Sequence, residues 1–312
     1  MYYLGLDIGG TKIAAVVMDA SGQEVRRYRC PTQKESYSQF VTSVVVFIDQ
    51  IRSDIQHPMM TGIALPGSVS PLSGMIKNAN IQVINGRALQ SDLEHLLGQP
   101  VVMANDGNCF ALSEACDGAG QEYDVVFGIT LGTGCGGGIA IHRQAFIGAW
   151  GNAAECGHIA LPGYCEQDDG PSVACYCGKQ NCVESFVSGT GMRERYHMLT
   201  GQSLSASAIV ALAQQNEPYA VQLVGLFRQQ LARTLATVVN ILDPGVIVIG
   251  GGLSNADLLV ANLDAEVAPF VFTDSFSTPI VKAHHGDSSG MRGAAWLAAQ
   301  TGRTEKNEAF TH

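Results

Sequence analysis

The sequence predicts an α/β fold built from two related domains, and three observations carry that reading. Strand-like apolar runs alternate with helical stretches along the chain. The opening pattern also returns: Gly5-Leu6-Asp7-Ile8-Gly9-Gly10-Thr11 matches Gly128-Ile129-Thr130-Leu131-Gly132-Thr133-Gly134 as apolar strand, polar residue, glycine-rich hairpin turn and second strand. Finally, 312 residues with 46% apolar and only 15% charged side chains suffice for one large core or two ordinary ones. Short self-similarities also arise by chance. Read as a duplication, this one gives two α/β domains, each opening with a hairpin whose turn faces the other across a cleft.

The elements are taken in chain order. YYLGLDIGG reads as a strand entering a turn, and IAAVVMDA and EVRRYRC as further strands. Ser36 to Ile51 is helical, with Tyr37, Phe40, Val41, Val44, Phe47, Ile48 and Ile51 spaced by three and four. MTGIALPG is a strand ending in Pro-Gly, and ALQSDLEHLLG a helix closed by Gly98. PVVMANDGN is a strand running into a polar turn, and CFALSEAC begins a helix. The pattern restarts at Asp124 with VVFGITLGTG, GGGIAIH and RQAFIG as three strands. Glu217 to Asn240 is a long helix, NILDPGVIVIGGGLSN a helix end, strand and third glycine cluster, and Gly293 to Gln300 a terminal helix. The tail RTEKNEAFTH is polar and expected to fray. The domains are placed at 1–118, joined by the C-terminal helix at about 290–303, and at 119–289.

Composition narrows the function. A net charge of −10 makes the chain a poor partner for nucleic acid or a membrane surface. No apolar run approaches a membrane span, and Met1 leads into a strand without a basic region, so a cytoplasmic protein without signal peptide is expected. Nine unevenly placed cysteines fit reduced thiols with a metal cluster better than a disulfide framework.

Two hairpin turns, GGTK and GTGCGGG, can clasp a polyphosphate through backbone N–H groups, with Lys12 and the hydroxyls of Thr11 and Thr133 as further donors. Gly250-Gly251-Gly252 would let a base or ribose lie against backbone. Asp7 is placed to hold Mg²⁺ against the phosphates. The plainer reading is three turns of an ordinary α/β protein, and no Walker A or G-x-G-x-x-G pattern accompanies them. In Asn105-Asp106-Gly107-Asn108, helix capping explains one polar side chain. Three in four residues at the end of a buried strand point to a polar site, where Asp106 would take a proton from a sugar hydroxyl and Asn105 grip its neighbours. CYCGKQNC sets Cys175, Cys177 and Cys182 in C-x-C-x4-C; with His158 as fourth ligand they would close a structural Zn²⁺ site, the alternative being reduced surface cysteines. Such a site would hold the nearby Glu155 and Glu184 rigidly. Cys30, Cys109, Cys116, Cys135 and Cys156 read as small core residues.

These residues resemble the ROK family nearly end to end: DIGGTKI at 7–13, LPG at 65–67, NDGNCFALSE at 105–114, LGTGCGGG at 131–138, ECGHI at 155–159, CYCGKQNC-VE at 175–184, DPGVIVIGGGLS at 243–254 and HGDSSGMRGAA at 285–295. The resemblance implies the actin-like ATPase (ribonuclease H-like) fold, ATP with Mg²⁺, and phosphorylation of a hexose at O6. MYYLGLDIGGTKIA, NCFALSEA and GGGLSN are most similar to members acting on N-acetyl-D-glucosamine. It implies that Asp106 is the catalytic base, and that Gly67, Asn80, Asn105, Glu155, His158 and Glu184 contact the sugar. His158, Cys175, Cys177 and Cys182 match the zinc ligands. Gly9, Gly10, Thr11, Lys12, Gly132, Thr133 and Gly134 match the phosphate loops, and Gly251 and Gly252 the nucleoside side. It also implies a homodimer.

Three positions depart from the family pattern. Asn181 stands where glycine is usual and tolerates the same left-handed backbone. Ile81-Gln82 replaces an apolar residue and Pro, which loosens the sugar assignment. Cys135 replaces a small apolar residue in a phosphate loop, where oxidation would impair nucleotide binding. The competing functions are a kinase for glucose, fructose or N-acetylmannosamine, a sugar-binding protein without catalysis, and a sugar-responsive repressor. The repressor reading is disfavoured because family repressors carry a DNA-binding segment ahead of the first loop, whereas here only six residues precede Asp7.

Overall fold

The computed structural model describes residues 1–308 and divides into two compact units. One comprises Met1–Gln121, Gly138–Ala153 and the chain from Asp287 onward; the other comprises Glu122–Gly137 and Ala154–Gly286. Residues 138–153, expected with the second domain, therefore cluster with the first.

The first unit opens with an antiparallel meander, β1 (Tyr2–Ile8), β2 (Lys12–Met18) and β3 (Glu24–Pro31). Helix α1 (Tyr37–Ile55) then returns the chain to β4 (Met59–Leu65), parallel to β1. Ser36 caps α1 by accepting the Gln39 N–H, and Phe40, Val41, Val44, Phe47, Ile48 and Ile51 are buried as their spacing predicts. A small hairpin, β5 (Ser68–Val69) with β6 (Ile76–Lys77), leads to α2 (Leu89–Leu97). Gly98 ends α2 in the left-handed conformation (φ 63°). β7 (Val101–Asn105) pairs parallel with β4, and α3 (Asp106–Asp117) begins at once, without the expected intervening turn. The sheet order is β3-β2-β1-β4-β7.

In the second sheet, β8 (Val125–Leu131) and β9 (Cys135–Ile141) form the repeated hairpin, and β10 (Gln144–Ala145) is only two residues where a fuller strand was expected. Short α4 (Glu166–Asp169) precedes α5 (Gly189–Thr200), α6 (Ala206–Gln214) and α7 (Pro218–Leu242). α7 starts with Pro at its first position, where a missing N–H costs nothing, and Glu217 takes the Ala220 N–H at 2.7 Å. β11 (Val246–Gly250) is wholly buried and runs parallel to β8. α8 (Asp257–Val260), α9 (Asp264–Val267) and β12 (Ile280–Lys282) complete the order β10-β9-β8-β11-β12. No helix among the described residues is long and apolar enough to cross a membrane.

The last helix, α10 (Ser289–Glu308), belongs to the first unit and is longer than expected. Its helical end covers part of the tail expected to fray, while residues 309–312 lie outside those described. Strand alternation decides what it meets. On β1, Leu4, Leu6 and Ile8 join the α1 core, whereas Tyr3, Gly5 and Asp7 face α10. A Cβ on Gly5 would overlap the Met291 carbonyl, and one on Gly62 of β4 the Ala294 carbonyl. The helix backbone thus lies directly on two strands. Arg292 clamps its flank through Asp117 and the Gly22 carbonyl (3.0 Å), with Trp296 Nε1 donating to Asp117 at 3.0 Å.

Gly5→Ala should therefore lower stability by more than about 3 kcal/mol in chemical denaturation, because both neighbours are backbone and cannot move aside. Gly225→Ala, exposed within α7 and with nothing near the added methyl, should instead be neutral or raise stability by up to about 1 kcal/mol.

Candidate functional site

The first glycine turn joins β1 to β2, and its carbonyls are all occupied. Gly9 O accepts from Thr32 Oγ1 at 2.7 Å, Gly10 O from Lys34 Nζ at 2.9 Å, and Thr11 O from Thr32 N at 3.1 Å. Gly9 N closes the hairpin onto Lys12 O at 2.9 Å. Among the described residues the N–H groups of Gly10 and Thr11 have no hydrogen-bond partner. With every carbonyl engaged, the turn offers N–H groups outward, flanked by exposed Thr11 and Lys12. That is an anion-binding edge.

Asp7 stands just before this turn, half-buried, with its carboxylate against Gly290 in the first turn of α10. Asp106 is exposed at the first position of α3, where the helix dipole favours negative charge, and its Oδ1 accepts the Gly107 N–H at 2.9 Å. Burial, then the charges of Asp7 and Asp106, push the Cys109 thiol well above its ordinary pKa. Both carboxylates therefore act on the same point of the first unit. Asn105 caps α3 by accepting the Gly107 N–H (2.8 Å) and donates through Nδ2 to Gly67 O at 3.1 Å. Its amide ties β7 to the turn after β4. Gly67 has φ +89° and no room for a Cβ against Lys77 O and Ala79 N. Asn80 is exposed beside Ala79, whose N–H and carbonyl are both held by the Asn85 amide, at 2.9 and 2.8 Å.

The second glycine turn, between β8 and β9, repeats the first with different partners. Gly132 O and Thr133 O accept from Gly189 N (2.8 Å) and Thr190 N (3.1 Å) at the start of α5. Gly134 O accepts the Gly132 N–H at 3.0 Å, and the Cys135 N–H donates to Glu184 Oε2 at 2.8 Å. The N–H groups of Thr133 and Gly134 remain without a partner among the described residues. The Cys135 thiol is buried, and the neighbouring Cys156 thiol, then burial, push its pKa well up, which disfavours the thiolate. Gly251 (φ +81°) packs its backbone against Leu131, so the third turn adjoins the end of β8. From there the chain enters a single 3₁₀ turn, Gly252–Asn255.

Space sorts the glycines of these turns. A methyl on Gly10, Gly132 or Gly252 would meet nothing within 4 Å, and none of the three has positive φ. The fold does not require glycine there, whereas it does at Gly67 and Gly251, where φ is positive and backbone fills the space; at Gly134 only the Glu184 carboxylate stands in the way.

Glu155 and His158 lie on one turn, joined by His158 N to Glu155 O at 3.2 Å. His158, Cys175, Cys177 and Cys182 bring their donor atoms within 4.8 Å of one another. His158 Nδ1 is 3.7 Å from Cys175 Sγ, and Cys177 Sγ is 3.6 Å from Cys182 Sγ. This is a set of three soft thiols and an imidazole that can hold a metal ion. The other imidazole nitrogen, Nε2, is 3.0 Å from the hydroxyl of exposed Tyr176. Asn181 adopts φ 55°, as the departure from glycine requires, and its Oδ1 takes the Val173 N–H at 2.8 Å. Cys109, Cys135 and Cys156 are buried; Cys30 and Cys116 are only half-buried.

Sequence reading missed Thr32, Lys34, Asn85, Tyr176, Gly189, Thr190 and Gly290. Thr32, Lys34, Gly189, Thr190 and Gly290 lie far along the chain from the groups they serve, and only the alternation of β1, which sends Asp7 to the face opposite Leu6, hinted at any of them.

A family model described as the ROK family matches residues 3–301. An N-acetyl-D-glucosamine kinase of Haemophilus influenzae is 38% identical over 301 residues, spanning 95% of this chain and 99% of that protein. Among solved structures, the ROK hexokinase of Thermus thermophilus is 28% identical with a TM-score of 0.84, covering 98% of this chain and 100% of that one. A ROK family glucokinase from Streptomyces griseus, solved with glucose and AMPPNP, is 28% identical with a TM-score of 0.77, covering 96% and 100%. The fold is accordingly the actin-like ATPase fold.

Gly10→Ala and Gly132→Ala should leave the thermal midpoint within about 2 °C of wild type, since neither methyl meets protein. Gly67→Ala should cost about 3 kcal/mol, from the left-handed backbone and the overlap with Lys77 together.

Proposed function

The chain belongs to the ROK family, and we propose that it is an ATP-dependent kinase that phosphorylates N-acetyl-D-glucosamine at O6, yielding N-acetylglucosamine 6-phosphate and ADP. The observation that carries the phosphoryl-transfer reading is the pair of turns whose carbonyls are engaged while the N–H groups of Gly10, Thr11, Thr133 and Gly134 have no partner among the described residues. The sugar is supported by relatives named N-acetyl-D-glucosamine kinase at 36–38% identity over nearly the whole chain.

Phosphoryl transfer asks a protein for positioning and charge neutralisation more than for covalent chemistry. The N–H groups of Gly10, Thr11, Thr133 and Gly134 would take phosphate oxygens, with Lys12 adding charge. Gly252 leaves space for the nucleoside. Asp106 would accept the proton of the O6 hydroxyl as that oxygen bonds to the γ-phosphorus and the bond to ADP breaks. Glu155, His158 Nε2, Glu184, Asn80, Asn105 and Gly67 would contact and orient the remaining sugar hydroxyls. Mg²⁺ arriving with ATP supplies charge neutralisation at the phosphates, and Asp7 would hold it directly or through water.

The cysteine cluster would hold structural Zn²⁺. A tetrahedral ion with Zn–S near 2.3 Å separates thiolates by about 3.8 Å, close to the 3.6 Å between Cys177 and Cys182. Three sulfurs and His158 Nδ1 complete four ligands, leaving no open position for chemistry.

A coupled assay across N-acetylglucosamine, glucose, fructose and N-acetylmannosamine should give the highest kcat/KM for the first. A higher value for any other reassigns the substrate within the family. Asp106→Asn should lower kcat by about 10² to 10⁴-fold with the sugar KM little changed; an unaltered rate removes Asp106 as the base. Elemental analysis of purified protein should find about one zinc per chain, and Cys175→Ser should lose most of it and lower the thermal midpoint.

A further inference from the structure

Glu184 sits two residues after Cys182, and the family pattern implies that it contacts the sugar. Its side chain in this structure does something else. Oε2 accepts the Cys135 N–H at 2.8 Å and stands where a Cβ on Gly134 would be, so Gly134 must lack one for the carboxylate to reach the turn. Oε1 makes no hydrogen bond among the described residues.

This contact belongs to a larger grip. One segment, 184–190, holds the second phosphate turn at three successive places: Glu184 on Cys135 N, Gly189 N on Gly132 O, and Thr190 N on Thr133 O. The segment is itself braced, since Ser188 Oγ donates to Glu184 O at 2.6 Å and accepts the Gly191 N–H at 3.0 Å. The main-chain bonds to Gly189 and Thr190 fix carbonyls. Only Glu184 fixes an N–H, and it is the sole side chain in the grip. A charged acceptor on a backbone N–H is among the stronger hydrogen bonds a protein makes. With the Cys135 N–H turned inward, the unpartnered N–H groups of Thr133 and Gly134 are left as the outward pair.

The geometry points to Glu184 as the positioning residue of the second phosphate turn: its carboxylate sets the turn in nucleotide-binding shape before any substrate arrives, while its other oxygen remains available to a sugar hydroxyl. One side chain then serves both substrates. The turn-holding role stands on the hydrogen bonds above; its consequence for nucleotide rests on the kinase reading.

Two measurements separate these. In substrate-free protein, hydrogen exchange over 132–137 should be at least about tenfold faster in Glu184→Ala than in wild type. Glu184→Gln, whose amide oxygen can accept the same N–H, should stay close to wild type. In the absence of sugar, calorimetry should then show Mg-adenine-nucleotide affinity about tenfold weaker in Glu184→Ala and largely restored in Glu184→Gln. A residue that only contacts sugar would move neither readout. Zinc content and thermal midpoint, measured on both variants, show that the cysteine cluster is intact. Unchanged exchange in Glu184→Ala, or equal effects of the Ala and Gln variants, overturns the proposal. Exchange behaving as expected while wild type binds no nucleotide upholds the turn-holding role and overturns the kinase reading instead.

Discussion

The first unit depends on how closely α10 lies on the sheet. A helix usually rests on a strand through side chains, about 10 Å away from axis to sheet. Here its backbone reaches Gly5 of β1 and Gly62 of β4, and on its other side Gly293 abuts the Cys109 carbonyl of α3. That contact fixes three things together. β1 cannot slide, because its register puts Gly5 under Met291. Asp7, two residues on and on the same face, is carried to the start of α10 at Gly290. α3 is held by its Cys109 turn, and Asp106, one turn earlier, is fixed with it. The two carboxylates on which the proposed chemistry turns are thus located by glycines that never touch a substrate.

The two glycine turns reach one electrostatic result by different means. Around Gly9–Thr11 the carbonyls are taken by Thr32 and by the ammonium of Lys34, all from the end of β3 and just after it. Around Gly132–Thr133 they are taken by N–H groups at the start of α5, which have no helical partner of their own. Both arrangements hide the negative ends of the peptide dipoles and leave positive ends outward. A buried N–H without a partner would be costly, but on an exposed turn water can satisfy it until an anion replaces the water. The two turns share a hairpin, and their unequal partners show that the hydrogen-bond pattern is what they have in common.

Much of this was legible in the sequence, and the reason differs by feature. Strands and long helices were, because alternation in YYLGLDI and the three-four spacing from Tyr37 to Ile51 report burial directly. The convergence of His158 with Cys175, Cys177 and Cys182 was, because three thiols in eight residues can fold round one point. Element ends were less so: α3 begins at Asp106 because Asn105 can cap it while still pairing within β7, and local propensity reads NDGN as a turn. The division of labour among the polar residues was not legible at all. Asn105 also bonds Gly67 and Glu184 also takes the Cys135 N–H, and sequence hinted at neither because each partner is set by tertiary structure tens of residues away.

The departures from the family pattern become intelligible once each position is described by the physical property it must supply. At 181 the requirement is a left-handed backbone beside the cysteines. Asparagine meets it at φ 55° and then adds what glycine cannot, a side-chain oxygen that takes the Val173 N–H and the Ser172 hydroxyl. At 135 the requirement is a small group that fits beneath the turn and leaves the backbone N–H free to bond Glu184. A thiol covered by protein, kept protonated by Cys156 and by burial, is such a group, and its sulfur chemistry is suppressed by the same surroundings that make it fit.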